Sequence, residues 1–596
     1  MQHKIDAKGG AVAFIDDYTA WVTGPSAEAN RAGIQAIIDK ALDWERRSGA
    51  QFEGDKTAII HFTRNKGRTS ETPFTVKGDI VKPKDSAKIL GVVMDCELRY
   101  KQHIARVSAK GLEAALALKR LKMLSPQTAR QLFVATVAPV MDYAASVWMH
   151  ACGEKALSWL NRAQKTGALA ITGAFRTVAT AVAEAEASIP PVRERHALGA
   201  ARLWINIHTL PETHPLVMKK IRATVRFVSP LQKIARMMGE TRVNRMETIK
   251  EYTIPPWEPR LQTTYEPDWE KAAEMANQAT GIVIATSSSV KKDRVGIGGS
   301  AHDTLSDRTG EAVLKYAVTI GTREEQNPYT AELTSIATAL KNLPPSVCYR
   351  EITVITRNHS ALAAIRQPRQ QSGQAIIRQI YEETSRLTQR GNSVHLQWAP
   401  AVSDFALGSE AKTAAKRATK QGHTPRLQLH QAKSTTLRLA IAKQQRARKL
   451  PEGVGKFSKA LDMALPGKHT RDLYDKLKRK EACILAQLRT GMARLNGFLN
   501  RIGVAESDIC ACGHASETVE HFLLRCARWT ALREDMLQCS MTRRGSLSFY
   551  LGGKVPSDSK HWSPDMKAVR ATIKYALATG RLEPKEEERP DATQSQ

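Results

Sequence analysis

The spacing of apolar positions changes period along the chain, and each change predicts a different kind of element. Two short apolar runs near the amino terminus, Ala11–Ile15 and Tyr18–Val22, flank Asp16-Asp17, a strand–turn–strand pattern. From Ala27 to Arg47 the residues Ile34, Ile37, Ile38, Leu42 and Trp44 recur at helical spacing, and strands are expected next at Ala58–Phe62 and Ile89–Met94. Residues 106–225 read as helix almost throughout, with apolar repeats in GLEAALALKRL and ARQLFVATVAPVM, interrupted at Pro190-Pro191. Residues 226–275 show no clear period, contain Pro255, Pro256, Pro259 and Pro267, and read as a linker.

At residue 281 the period shifts again. GIVIA, VGIGGSA, KYAVTIG and EITVIT are strand-like, and AELTSIATALKNL is an amphipathic helix. HSALAAI, residues 373–390 and EAKTAAKRA supply further helices, with a strand-like SVHLQWAP before the last. That βββαβαβα order predicts a layered α/β domain. Residues 423–500 read as basic helix with few aromatics, and the tail after about 580 is polar and expected to be disordered.

Length and charge narrow the class. A chain of 596 residues is too long for one core, so three or four domains are expected. The 89 Lys and Arg exceed the 59 Asp and Glu by 30, a surplus that points to a polyanionic partner, most commonly nucleic acid. Of eight cysteines only Cys510, Cys512 and Cys526 stand near a shared His, which suits a reducing compartment and one metal site better than a disulfide framework. The opening MQHKIDAKGG has no secretory apolar region, and no stretch reaches roughly 18 uninterrupted apolar residues. The expectation is an intracellular protein, nuclear or cytoplasmic, not secreted and without a membrane partner.

Two constellations carry candidate chemistry on their own. Adjacent aspartates at a hairpin tip, Asp16-Asp17, could hold cations for phosphoryl transfer. They equally suit a plain turn, where Asp bonds nearby backbone amides. In DICACGHASETVEHFLLRCARW, the residues Cys510, Cys512, His521 and Cys526 supply three thiolates and one imidazole, a closed set of the structural zinc type. Small buried cysteines with an incidental histidine are the plainer alternative. His514 is a less favoured ligand, because it would sit just after the first pair.

From Ala11 onward the chain resembles the reverse transcriptases of non-LTR (LINE-type) retrotransposons. FIDD matches their Phe/Tyr-X-Asp-Asp motif, GDKTAIIHF with Lys56 looks like the next palm motif, and KILGVVMDCELRYKQHI like the one after. VAPVMDYAASVW, LNRAQKTGALAITGAFRT and SIPPVRERHALGAARL resemble the thumb and connecting helices. The family takes a third metal-binding aspartate and its fingers from far upstream. Only thirteen residues precede Phe14 here, with Asp6 as their sole acid, so the resemblance implies a truncated palm that does not polymerise.

Residues 281–418 resemble ribonuclease H, which cleaves the RNA of an RNA–DNA hybrid with two magnesium ions held by four carboxylates. Placed on that pattern, only Glu332 survives; Ser287 takes the first aspartate position, Arg357 the second and Lys412 the last. AVSDFALGSE also lacks the histidine of active members. Two cations where magnesium should bind cost roughly 4 kcal/mol per unit-charge pair at about 4 Å and an effective dielectric near 20. Glu332 is then expected to pair with Arg357 or Lys412.

The resemblance implies a multidomain α+β and α/β protein. Its segments are a reverse transcriptase palm remnant (1–105), a helical thumb (106–225), the linker (226–275) and an RNase H-like domain (276–422). A basic helical region (423–500), a zinc knuckle (501–540) and a carboxyl-terminal segment (541–596) follow. The function it implies is binding of RNA and RNA–DNA hybrid, with structural Zn²⁺, and Mg²⁺ only if ancestral activity is retained. The alternatives are an active hybrid ribonuclease or RNA-directed DNA polymerase, and a basic scaffold for protein partners.

Overall fold

In the computed structural model the two amino-terminal apolar runs pair as β1 (Gly9–Phe14) and β2 (Asp17–Val22), antiparallel, with Phe14 opposite Asp17. The structure describes residues 8–214, 216–217, 228–239, 243, 245–250, 254–255, 257–305, 312–401, 405–420 and 429–583. Asp6, residues 402–404 of the loop without histidine, and the tail beyond 583 lie outside them. The chain gathers into two units: Met1–Gly199 with Ala447–Gln596, and Ala200–Arg446.

In the first unit, α1 (Ala27–Ser48) starts where the Ser26 hydroxyl accepts from the Ala29 amide and ends at Gly49, whose φ is 71°. It approaches β2 so closely at Gly33 that a Cβ there would stand 3.3 Å from a Val22 methyl. The strand expected at Ala58–Phe62 does not form. Ile59 receives one bond from Lys84 and Thr63 gives one to Cys96, too few for a ladder. The strands are β3 (Phe74–Val76) with β4 (Asp79–Val81), and β5 (Ser86–Ile89) with β6 (Val92–Asp95). Thus the expected single strand 89–94 is a hairpin, turned at Leu90 and Gly91, both with positive φ.

Helices α2 (Lys101–Arg120), α3 (Glu154–Thr172) and α4 (Thr180–Glu186) bury one face each around Ile104, Leu160 and Val182. One helical stretch, Pro126–Ala151, is long and apolar enough to cross a membrane. In this unit it buries Phe133, Val137, Met141 and Trp148 in the same core.

The second unit is built on a six-stranded sheet. The region read as a linker contributes to it: a helix at Pro230–Met238, then β7 (Gln262–Thr264) and α5 (Trp269–Asn277). Elements of three to nine residues are too short to register a period between prolines. The remaining elements follow the expected order: β8 (Ile282–Lys291), β9 (Arg294–Asp303), β10 (Ala312–Thr322), α6 (Pro328–Lys341), β11 (Glu351–Thr356), α7 (His359–Arg366), α8 (Gln374–Thr388), β12 (Ser393–Trp398) and α9 (Ala406–Arg417). The sheet runs β10-β9-β8-β11-β12-β7, antiparallel over the first three strands and parallel over β8, β11, β12 and β7. Val283, Leu333 and Leu362 are buried as expected of core residues, and Trp398 is half-buried. Helix α9 presses on bare backbone: a Cβ on Gly298 would lie 2.3 Å from the Ala415 nitrogen.

Of the expected run of basic helix, Lys433–Ala447 forms one 15-residue helix, all but its last residue in the second unit. The carboxyl-terminal part of the first unit continues the run as short helices at Lys456–Leu461, His469–Asp475, α10 (Arg479–Thr490) and Asn496–Arg501. Leu485, Leu488, Phe522, Leu523 and Tyr550 share a core there with α11 (Met566–Ala578).

Candidate metal centre and the carboxylate positions

Among the described residues one group of three or more potential metal ligands comes together: Cys510, Cys512, His521 and Cys526, with all four ligand atoms within 4.8 Å of one another. Cys510 Sγ and Cys526 Sγ are 3.6 Å apart, and Cys512 Sγ is 3.3 Å from His521 Nε2. Tetrahedral zinc with Zn–S near 2.3 Å spaces its ligands about 3.5–3.8 Å apart, so the donor set fits the ion in both chemistry and spacing.

Local backbone explains the arrangement. The Cys510 amide bonds Ala515 O and the Gly513 amide bonds Cys510 O, closing a tight turn with Gly513 at φ 79° that brings Cys512 back beside Cys510. His521 and Cys526 bracket one wide helical turn, whose Phe522 and Leu523 are buried beneath the site. Burial holds His521 below the ordinary imidazole value, leaving it neutral with a lone pair to give. Burial pushes the Cys510 thiol up to about 12, whereas the His514 backbone amide draws Cys512 down.

Glu517 lies inside the cluster, between Cys512 and His521. It is buried, takes two bonds from Arg581 at 2.9 and 2.5 Å, and accepts the Asn496 amide at 2.7 Å, so it anchors the metal turn to neighbouring segments.

The RNase H positions do not converge as one ion-paired group. Glu332 is 2% exposed, and its Oε1 accepts from Thr286 at 2.8 Å and Thr356 at 2.9 Å. It makes no ion pair within 4.0 Å among the described residues, contrary to the expected pairing with Arg357 or Lys412. Arg357 does stand near enough for its charge to act on Glu332, packed against Gly408 of α9. Ser287 pairs across the sheet with Gly298, which faces α9, while its neighbours Thr286 and Ser288 face Glu332. Ser287 and Glu332 therefore lie on opposite faces of the sheet, a consequence of the two-residue period of strands. Lys412 is exposed on α9. The carboxylate of that helix that sequence reasoning missed is Glu410, which accepts from Ser300 at 3.0 Å and pairs with Lys315 at 3.3 Å.

Burial raises the Glu332 pKa above its ordinary 4.5, outweighing the hydroxyl bonds. Folding thus favours the protonated acid. Its contribution is full below the unfolded value and is lost as pH rises through the folded one. A Glu332→Gln chain should gain stability relative to the parent as pH rises from about 4 to about 8. Glu332→Ala should lose about 1–3 kcal/mol for each threonine hydroxyl stranded. Urea unfolding across pH reads both, and parallel pH curves for parent and Gln variant would refute the first.

At the amino-terminal hairpin the turn is Ile15-Asp16, with Ile15 at φ 55°, and Asp17 opens β2; both aspartates are exposed. Asp17 was expected at the tip beside Asp16, and the two-residue loop instead places it in the strand. Lys56 pairs with Glu53 at 2.7 Å, which raises its pKa, and Asp16 adds to that field.

No family model matches the chain. A retrovirus-related Pol polyprotein from type-1 retrotransposable element R1 2 of Nasonia vitripennis is 35% identical to it over 66 residues. The match spans 11% of this chain and 16% of that protein's length. Similar solved structures include the N-terminal RNase H domain of a Mycobacterium tuberculosis protein, at 14% identity and TM-score 0.20, covering 24% of this chain and 100% of that one. RNase H1 of Halobacterium salinarum is 14% identical with TM-score 0.19, over 23% and 96% of the two chains. The protease–reverse transcriptase of prototype foamy virus is 13% identical with TM-score 0.20, over 25% and 22%. Over 66 residues the chain is thus similar to a retrotransposon Pol polyprotein, and the solved structures it resembles include RNase H domains and a viral protease–reverse transcriptase.

Proposed function

We propose that this chain is a nucleic-acid-binding protein of retrotransposon origin, with structural zinc at Cys510, Cys512, His521 and Cys526, and with neither polymerase nor hybrid-cleaving chemistry of its own. One observation carries the second half of the reading. Glu332 spends its carboxylate on two threonines beside the Arg357 guanidinium, where a magnesium site would need further acids. Asp16 and Asp17 likewise join no third ligand among the described residues. The surplus of 30 positive charges supports phosphate binding.

The chain mixed with a labelled RNA–DNA hybrid and magnesium should bind and leave it intact. Binding should weaken about a thousandfold between about 50 mM and about 200 mM salt if roughly six phosphates are neutralised. Magnesium-dependent cleavage by the parent would overturn the reading in favour of an active ribonuclease. Binding indifferent to salt would favour a scaffold for protein partners.

A further inference from the structure

Between β7 and α7 of the second unit lies a cavity of about 520 Å³, lined by Arg260, Thr263, Tyr265, His359, Leu362 and Arg366 among others. It lies between the added strand β7 and α7 of the βββαβαβα run, and Thr286, Glu332 and Thr356 are not among its lining residues. Tyr265 directly follows β7, and His359 opens α7 three residues beyond the end of β11. Both strands are parallel members of the sheet, and parallel sheets leave room for ligands outside their carboxyl ends, where the chain turns away into helices.

The lining has a particular chemistry. The Tyr265 ring is held by His359 at 4.2 Å and Trp398 at 5.2 Å between centroids, yet remains 45% exposed. Its position is fixed by β7, whose Thr264 hydroxyl bonds His395 of β12 at 2.8 Å. Among the described residues the Arg260 side chain reaches just the Ile254 carbonyl, at 3.5 Å, and the Arg366 side chain has no hydrogen bond or ion pair. No carboxylate lines the cavity. Two guanidinium groups without a counter-ion among the described residues share the lining of this cavity with an anchored, open aromatic ring, in a space within the size range of small-molecule sites.

We propose that this cavity takes a nucleoside monophosphate unit, with its base stacked on Tyr265 and its phosphate held by Arg260 and Arg366. A planar guanidinium matches phosphate oxygens in pairs, and an aromatic face accepts any base, so the site is selective for nucleotide chemistry and indifferent to sequence. The unit is either a free nucleotide or an unpaired residue of a strand. Only the strand source rests on the nucleic-acid-binding reading.

The full chain is titrated calorimetrically with AMP, adenosine and inorganic phosphate, and by anisotropy with a fluorescent oligoadenylate. AMP is expected to bind at least about tenfold more tightly than adenosine or phosphate. Tyr265→Ala and Arg366→Glu should each weaken it by about tenfold or more, and Tyr265→Phe should retain it. Both altered side chains are exposed, and the unfolding midpoint of each variant checks its fold. If AMP fails to bind but the same two variants weaken the oligonucleotide while Tyr265→Phe does not, the strand is the source and the proposal stands. Absence of AMP binding, with oligonucleotide affinity equal in parent and variants, overturns the cavity site and leaves the proposed function standing. A parent that binds no oligonucleotide overturns that function, and the AMP titration still decides the cavity.

Discussion

A Cys510→Ser chain is expected to carry no zinc and to lose the ordered turn of residues 508–526, while the sheet of the second unit persists. The parent, purified without chelator, should hold one zinc per chain by atomic emission. The turn is closed by few backbone bonds, with Phe522 and Leu523 packed beneath it, so a bound ion would supply much of what holds Cys512 and Cys526 together. Structural zinc in small domains binds with about 10–16 kcal/mol, and that binding energy is available to folding. Here the core around Tyr550 and α11 shares the task, so metal loss should unfold the cluster without unfolding the other unit. Each thiol must give up a proton to ligate, and burial pushes Cys510 up to about 12, so zinc affinity should fall steadily as pH is lowered. Zinc near zero in the chelator-free parent would end the assignment. Loss of the second unit's circular dichroism in the variant would show that the two units do not fold independently.

Arg489→Met is expected to destabilise the first unit by about 3–5 kcal/mol, because it strands two buried carboxylates. Arg489 is wholly buried and lies 2.8 Å from Glu186 and 2.7 Å from Asp462, both also wholly buried. It further donates to the Leu551 carbonyl at 2.6 Å. Tyr474 donates to Glu186 at 3.0 Å, and His469 Nε2 stands 2.7 Å from Asp462. Burial alone would raise Asp462, but the His469 bond and the Arg489 charge hold it well below the usual carboxylate range. Its contribution is therefore present above the unfolded value near about 3.9 and is lost only as pH falls through the much lower folded value. Methionine fills similar volume and satisfies neither acid. Urea unfolding followed by thiol exposure measures the loss; a change below about 1 kcal/mol would mean that water reaches the carboxylates. Adding Glu186→Gln to the variant should recover part of the loss, since it removes one of the stranded charges.

The Cys/His cluster was legible in the sequence because four donors within seventeen residues need only one turn and one helical turn to meet. The βββαβαβα order of strands and helices was legible for a similar reason: each element announces its own period. The positions around Glu332 were not. A pattern match places Ser287 in register along the strand, but strand alternation decides which face it takes, and that face is the one under α9. Glu410, two residues before Lys412, shows how a small shift along one helix exchanges an acid for a base.

Apolar periodicity, turn residues and the Cys/His spacing by themselves determined the amino-terminal hairpin, α1, the βββαβαβα run and the Cys/His cluster, because each is specified within a few turns or strands of chain. Tertiary structure alone decided that β7 joins the sheet from a stretch that reads as linker, since three residues become a strand only when the edge of β12 offers them partners. It also decided that both ends of the chain build one unit. Glu186 and Arg489 are separated by 303 residues, and each is wholly buried against the other. No local pattern encodes that partnership, because the cost of burying each charge is met only after the intervening chain has folded back.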